Sequence, residues 1–256
     1  MSNLIQSQIY CHDEEEKPKK KKKKPKIPKA PRHIVSIPNP DKKMHETYKK
    51  SHNPIRFPKP FKCCISGRPN SGKSLMALHI IMAHQDRAPK FDEIHIVHGC
   101  ADTHTSEWEK IDPTSTRQDI PSYEEYDPEK RTLLVFDDTD YTSLKSDELM
   151  RLSEIVRFGS SHCNISTIFL TQVFFRIPKV IKDCCNVFII YRPVDLDELS
   201  TLGRRVGLKK EEINHMFKTF LPHWRDSLLI NLIPNAPSKF SKNLFQKIEL
   251  DGSDSD

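Results

Sequence analysis

Between Arg56 and Pro234 the apolar positions fall in short blocks, and helix-like stretches separate them. The blocks Phe61–Ser66, Glu93–His98, Thr132–Asp137, Ile165–Thr171 and Val187–Tyr191 are rich in branched and aromatic side chains, so each predicts a strand. Ser74–His84 is apolar nearly all round and predicts a well-buried helix. A second helix is punctuated by Ser146 as its cap, Asp147 and Glu148 at its positive end, a stripe of Leu149, Leu152 and Val156, and Gly159 as its stop. Helices at Leu196–Arg205 and Lys209–Phe220 and a strand at Ser227–Leu232 complete the pattern. Strands alternating with helices predict an α/β fold whose central sheet is mainly parallel and covered by helices on both faces.

The segments outside this pattern differ in character. Residues 1–50 are expected to form a disordered basic arm, because KPKKKKKKPKIPKAPR joins a lysine block to prolines that oppose regular structure. Residues 51–235 form the globular domain. Residues 236–256 combine an amphipathic pattern (Phe240, Leu244, Phe245, Ile248), suited to docking on the core or on a neighbour, with an acidic tail. Ala101–Lys130, between the second and third strands, carries nine acids against three bases. It suits a partner contact or a solvated insertion rather than a DNA surface.

Charge sharpens that division. The net charge is +6, yet residues 17–32 alone carry ten basic side chains and no acid. Positive charge is thus concentrated in the arm, where it suits nuclear import or electrostatic attachment to nucleic acid. Arg204, Arg205, Lys209 and Lys210 form a second basic cluster. No apolar run approaches the roughly 20 residues of a membrane helix, and the N-terminus lacks the pattern of a signal peptide. An intracellular protein without membrane contact is expected. The seven cysteines show no disulfide spacing and are expected to be reduced; each adjacent pair (Cys63-Cys64, Cys184-Cys185) should place one thiol in the core and one elsewhere. His95, His98, Cys100 and His104 invite a metal test. His95 and His98 would lie on opposite faces of a strand, which opposes a shared ion.

The chemistry begins with Gly67-Arg68-Pro69-Asn70-Ser71-Gly72-Lys73-Ser74, which fits G-x-x-x-x-G-K-[ST] between a strand and a helix. Its glycines allow a tight turn with N–H groups facing phosphates. Lys73 should reach the β- and γ-phosphates of ATP, and Ser74 should hold Mg²⁺. Leu133-Leu-Val-Phe-Asp137-Asp138 reads as a buried strand delivering two carboxylates to the ligand-binding edge, Asp137 to the Mg²⁺ shell and Asp138 as general base toward water. The strand at Ile165–Thr171 is followed by Gln172, suited to sensing the γ-phosphate.

In this order, FKCCISGRPNSGKS, LLVFDD, RFGSSHCNISTIFLTQ and IPKVIKDCCNVFIIY resemble the poxvirus-type DNA-packaging ATPases of the FtsK/HerA superfamily, related to those of Maverick/Polinton elements. The resemblance covers roughly Phe57 to Ile233. It implies a P-loop NTPase fold of the RecA/FtsK type. It also implies an ATP- and Mg²⁺-dependent motor, acting as a homo-oligomeric ring that moves double-stranded DNA into a preformed capsid. Viral capsid proteins would be partners, and the host nucleus or the virion the location. Lys73, Ser74, Asp137, Asp138 and Gln172 match the family's site. Arg157 is the first choice for an arginine reaching a neighbour's γ-phosphate, and Arg176 the second. Two alternatives stand beside the motor: a small-molecule phosphotransferase, which usually adds an arginine-rich lid not visible here, and a non-motor protein that binds nucleotide and nucleic acid. No Asn-Lys-x-Asp segment supports GTP.

Overall fold

The computed structural model describes residues 46–48, 53–99, 105–193 and 196–249. The arm at 17–32, Cys11, Cys100, His104 and nearly all of the acidic tail lie outside the described residues.

Among the described residues, nine strands form one sheet in the order β3-β2-β4-β5-β1-β6-β7-β8-β9. The strands are β1 (Lys62–Ser66), β2 (Glu93–His98), β3 (Ser115–Arg117), β4 (Thr132–Asp137), β5 (Ile165–Thr171), β6 (Val187–Tyr191), β7 (Ser227–Asn231), β8 (Phe240–Lys242) and β9 (Gln246–Lys247). From β3 to β6 every pairing is parallel; β7, β8 and β9 add antiparallel at one side. The helices are α1 (Lys73–Asp86), α2 (Ser146–Glu154), α3 (Ser160–His162), α4 (Lys179–Cys184), α5 (Leu196–Val206) and α6 (Lys210–Thr219).

Two apolar layers enclose the sheet. On one face Ala77, Leu78, Ile80 and Ile81 of α1 pack on Cys63, Ile65, Ile168 and Leu170. On the other, Leu152, Ile155, Val156, Leu202, Ile213 and Phe217 pack on Cys64, Leu134, Phe136 and Phe169. The central strands are therefore buried on both sides, which is why their sequences read as continuous apolar runs.

Several expectations change. Cys63 and Cys64 face opposite sides, yet both are fully buried, because both sides are core. Burial raises both thiols well above their ordinary pKa. Cys184 and Cys185 close α4 instead of sitting on a strand. The α1 helix is not buried all round: Leu75, His79 and Met82 form an exposed stripe on the side away from the sheet. Ser146 is the first helical residue of α2 and not its cap. Lys145 stands before it, its backbone N–H donating to Glu148 Oε2 at 2.8 Å.

Gly159 does not end the helix. Its φ of −55° is right-handed, and the chain continues through a π turn (Ile155–Gly159) into α3. The buried stripe is Leu152, Ile155 and Val156, at helical spacing, while Leu149 is exposed. The acidic connection is an integral part of the sheet edge: it contributes β3, which pairs with β2, and two 3-10 turns (Thr105–Ile111, Tyr123–Glu125). Phe240, Leu244 and Ile248 dock on the core beside β8 and β9, and Phe245 faces out.

Candidate functional site

The β4-β5-β1-β6 order places four strand ends side by side at the C-terminal edge of the parallel strands. β1 runs into the loop Gly67–Ser74, β4 ends at Asp137-Asp138, β5 ends before Gln172, and β6 ends at Tyr191. Ligands in open α/β sheets bind at this edge, outside the carboxyl ends of the strands.

The loop is shaped by close backbone approach. A Cβ on Gly67 would lie 2.7 Å from Ser71 Oγ and 2.7 Å from Tyr191 Cβ, so only glycine fits there. Asn70 (φ 63°) and Gly72 (φ 101°) adopt left-handed conformations that turn the chain into α1. Gly67 N–H donates to Thr171 O at 3.1 Å, tying the loop to the end of β5. Tyr191 donates its hydroxyl to Gly72 O at 3.2 Å and braces the loop from the other side. Lys73 Nζ donates to Arg68 O at 3.0 Å. Burial lowers the Lys73 pKa, and the charges of Asp138 and then Asp137 oppose that shift, so this ammonium lies in the field of both carboxylates.

The two aspartates have different surroundings. Asp137 is largely buried; Trp108 Nε1 donates to its Oδ2 at 2.9 Å, and His98 Nε2 lies 3.7 Å from the same oxygen. Burial raises the Asp137 pKa, with the Trp108 hydrogen bond and the His98 charge working against it. Asp138 is exposed and left-handed (φ 47°), and Gln172 Nε2 donates to its Oδ1 at 3.4 Å. Its backbone is pressed against Gly99, where a Cβ would fall 2.1 Å from Asp138 O. Asp138, Gln172 and Arg176 line one cleft of about 220 Å³ with Thr139, Asp140 and Tyr141.

The residues suit a nucleotide. Among the described residues Ser71 Oγ is buried without a hydrogen-bond partner. The loop also leads into α1, whose first-turn N–H groups favour an anion. Ser74 and Asp137 carry hard oxygen donors that could hold a divalent ion such as Mg²⁺.

The structure thus brings together Gly67, Arg68, Pro69, Asn70, Ser71, Gly72, Lys73, Ser74, Asp137, Asp138 and Gln172. Arg157 is not among them. It is exposed in the π turn, on the helical stretch that leads back from this edge toward the start of β5. Arg176 is the arginine that shares the cleft. The second basic cluster is partly neutralised: Arg205 bonds Lys182 O at 2.7 Å and Asp183 at 2.8 Å, and Lys210 lies 3.6 Å from Asp197. His95 and His98 do face opposite ways, His95 bonding Ser115 Oγ at 2.8 Å.

The part that four residues play at this site escaped the sequence reading. Trp108 was visible only as a lone large aromatic in an acidic stretch. Tyr191 stood at the end of a core strand, Gly99 next to a strand end, and His98 faces Asp137 through the β2–β4 register.

The curated proteins contain no match. Solved structures to which the chain is similar include the genome packaging NTPase B204 of Sulfolobus turreted icosahedral virus 2 bound to ATP-gammaS (16% identity, TM-score 0.46, 71% of this chain and 94% of that one). The DNA-packaging ATPase B204 of Sulfolobus turreted icosahedral virus follows at 15% identity and TM-score 0.49, covering 68% and 93%. EssC of Geobacillus thermodenitrificans is 15% identical, with TM-score 0.43 over 56% and 34%. At the level of family, residues 102–242 match the family described as Poxvirus A32 protein, a segment that holds Asp137, Asp138 and Gln172 but starts after the phosphate loop. That match spans more than half of the sequence, and the chain belongs to the poxvirus A32 protein family.

Proposed function

We infer that the protein is a genome-packaging ATPase, which hydrolyses ATP to drive double-stranded DNA into a preformed viral capsid. One observation carries the reading. In a member of this family, a phosphate loop, a carboxylate pair and a glutamine are presented by the adjacent strands β1, β4 and β5 at one edge.

Each residue then has a role. The loop N–H groups and Lys73 hold the phosphates, with Lys73 exchanging the Arg68 carbonyl for phosphate oxygens. Ser74 and Asp137 would hold Mg²⁺, which supplies charge neutralisation on the β- and γ-phosphates when bound. Asp138 accepts a proton from the attacking water, and Gln172 orients that water through its contact with Asp138. The Thr171 carbonyl, bonded to Gly67, gives Gln172 a short mechanical path to the loop.

Assembly and location belong to the same proposal. A homo-oligomeric ring would let an arginine of one subunit act on its neighbour's site, which is the place for Arg157, while Arg176 stands in the cleft of its own subunit. The lysine-rich arm would contact DNA or direct the protein to the host nucleus.

The test is hydrolysis by the full-length protein with and without duplex DNA, paired with particle images. Stimulation by DNA and rings with a central channel are expected. Phosphate transfer to a small acceptor without DNA dependence would favour a kinase and sink the reading. An arm-deleted protein (residues 1–32 removed) should keep basal hydrolysis and bind DNA more weakly, with a shallower salt dependence.

A further inference from the structure

We propose that Trp108 is a positioning residue for the carboxylate of Asp137, fixing which of its oxygens faces the metal. The inference rests on the reading that Asp137 holds Mg²⁺.

A carboxylate on a short side chain turns easily, because its terminal torsion is broad and roughly two-fold. Something must therefore hold Asp137 if one oxygen is to be kept for a ligand. The indole of Trp108 does this geometrically: its Nε1 lies 2.9 Å from Oδ2, and His98 Nε2 approaches the same oxygen at 3.7 Å. Both contacts fall on Oδ2, and among the described residues Oδ1 accepts no hydrogen bond.

Trp108 is itself immobilised. It is 1% exposed and packed in the layer that contains Leu78 and Ile81 of α1 and Ile94 and Ile96 of β2. The indole thus stands in the same apolar layer as the helix that begins at the phosphate loop, and it bonds the carboxylate that ends β4. A tryptophan needed only to fill this space would serve equally with its N–H on any backbone carbonyl. Here the donor is spent on a residue of the site. The acidic connection between β2 and β4 acquires a purpose beyond its edge strand, which is to carry this ring under the metal-binding carboxylate.

Partners behind a metal ligand fix its orientation, and their loss typically costs about 10- to 100-fold in metal affinity or activity. Trp108→Phe, which keeps most of the ring and removes the N–H, should raise the Mg²⁺ concentration for half-maximal hydrolysis by about that factor. Binding of a fluorescent ADP analogue in EDTA should change less than about two-fold, since the loop is untouched. The second measurement leaves Trp108 in place. The chain has two tryptophans, and Trp224 is 58% exposed, so in Trp224→Phe the emission comes from Trp108 alone. That emission should shift when Mg²⁺ is added to the protein loaded with ATPγS, and not when the nucleotide is added in EDTA.

A Trp108→Phe enzyme with the wild-type Mg²⁺ requirement would make Trp108 a core filler and overturn the proposal. So would an emission indifferent to Mg²⁺, which decides the matter even if Trp108→Phe fails to fold. Failure of the underlying reading looks different. If Asp137→Asn keeps the wild-type Mg²⁺ requirement, Asp137 is not a metal ligand, and the role of Trp108 falls with it.

Discussion

The two edges of the parallel sheet use charged side chains in opposite ways. At the N-terminal edge, ahead of β1 and β2, the cations are committed to structure. Lys59 is buried with its Nζ on Pro89 O at 2.7 Å and 4.4 Å above the Phe91 ring, and Arg56 donates to Arg87 O at 2.9 Å and Pro89 O at 3.1 Å. At the C-terminal edge, the side chains of Lys73, Asp138 and Gln172, among the described residues, bond neighbours within the site, on a backbone that is left-handed at Asn70, Gly72 and Asp138. Side chains of similar chemistry thus divide by location: those buried against carbonyls and an aromatic ring outside the site hold the fold, and those with exchangeable partners beside left-handed backbone wait for a ligand.

The largest effects should come from the C-terminal edge. Lys73→Ala should lower ATP turnover by at least about 100-fold, as expected for a donor aimed at developing phosphate charge. A steady-state assay with thermal melting checks it; wild-type turnover would erase the distinction between the edges. Asp138→Asn should cost about 100-fold in turnover and leave nucleotide affinity nearly intact, because the exchange removes a base and preserves shape. Equilibrium binding beside single-turnover rates separates the two quantities.

An intermediate case tests the backbone. In Gly99→Ala the new methyl would meet Asp138 O at 2.1 Å, so the β4 end must move. We expect about 1–3 kcal/mol of destabilisation in denaturant titrations, together with a drop in turnover. A loss of stability alone would mean that the position of Asp138 is not critical.

The smallest effect on activity belongs to Lys59→Met, whose turnover should stay within about two-fold of wild type, since Pro89 O keeps its Arg56 donor. Its signature is pH dependence. Burial lowers the Lys59 pKa to about 8, against the opposing charge of Glu46. Between about 8 and the ordinary 10.5 the unfolded chain holds more protons on this group than the folded one. Stability contributed by Lys59 is therefore lowest below pH 8 and recovers as the pH rises. Any advantage of Lys59→Met at pH 7 should shrink by pH 10 in paired melts, and a constant difference would show that the ammonium carries no burial cost.

Much of this was legible residue by residue. The runs at β1, β4, β5, β6 and β7 are largely apolar because both faces of each strand are covered, and a pattern so local survives in one dimension. The phosphate loop is equally local, since G-x-x-x-x-G-K-S encodes its turn in consecutive residues. The helix does not stop at Gly159 because glycine permits a left-handed cap without requiring one, and here its φ is right-handed at −55°. The sequence offers Arg157 and Arg176 alike as arginines near the site, and only the tertiary structure sets Arg176 in the cleft and Arg157 in the π turn away from it.

What the sequence by itself determined is the set of elements and the chemical groups at their ends: a parallel α/β sheet, a phosphate loop, two carboxylates and a glutamine. The tertiary structure decided which of those ends are neighbours. It set β5 between β1 and β4, braced the loop with Tyr191, and brought Trp108 from an acidic connection onto Asp137, 29 residues away. Strand order and side-chain contacts across such separations depend on how two apolar layers close around the sheet. No local pattern of residues encodes that closure.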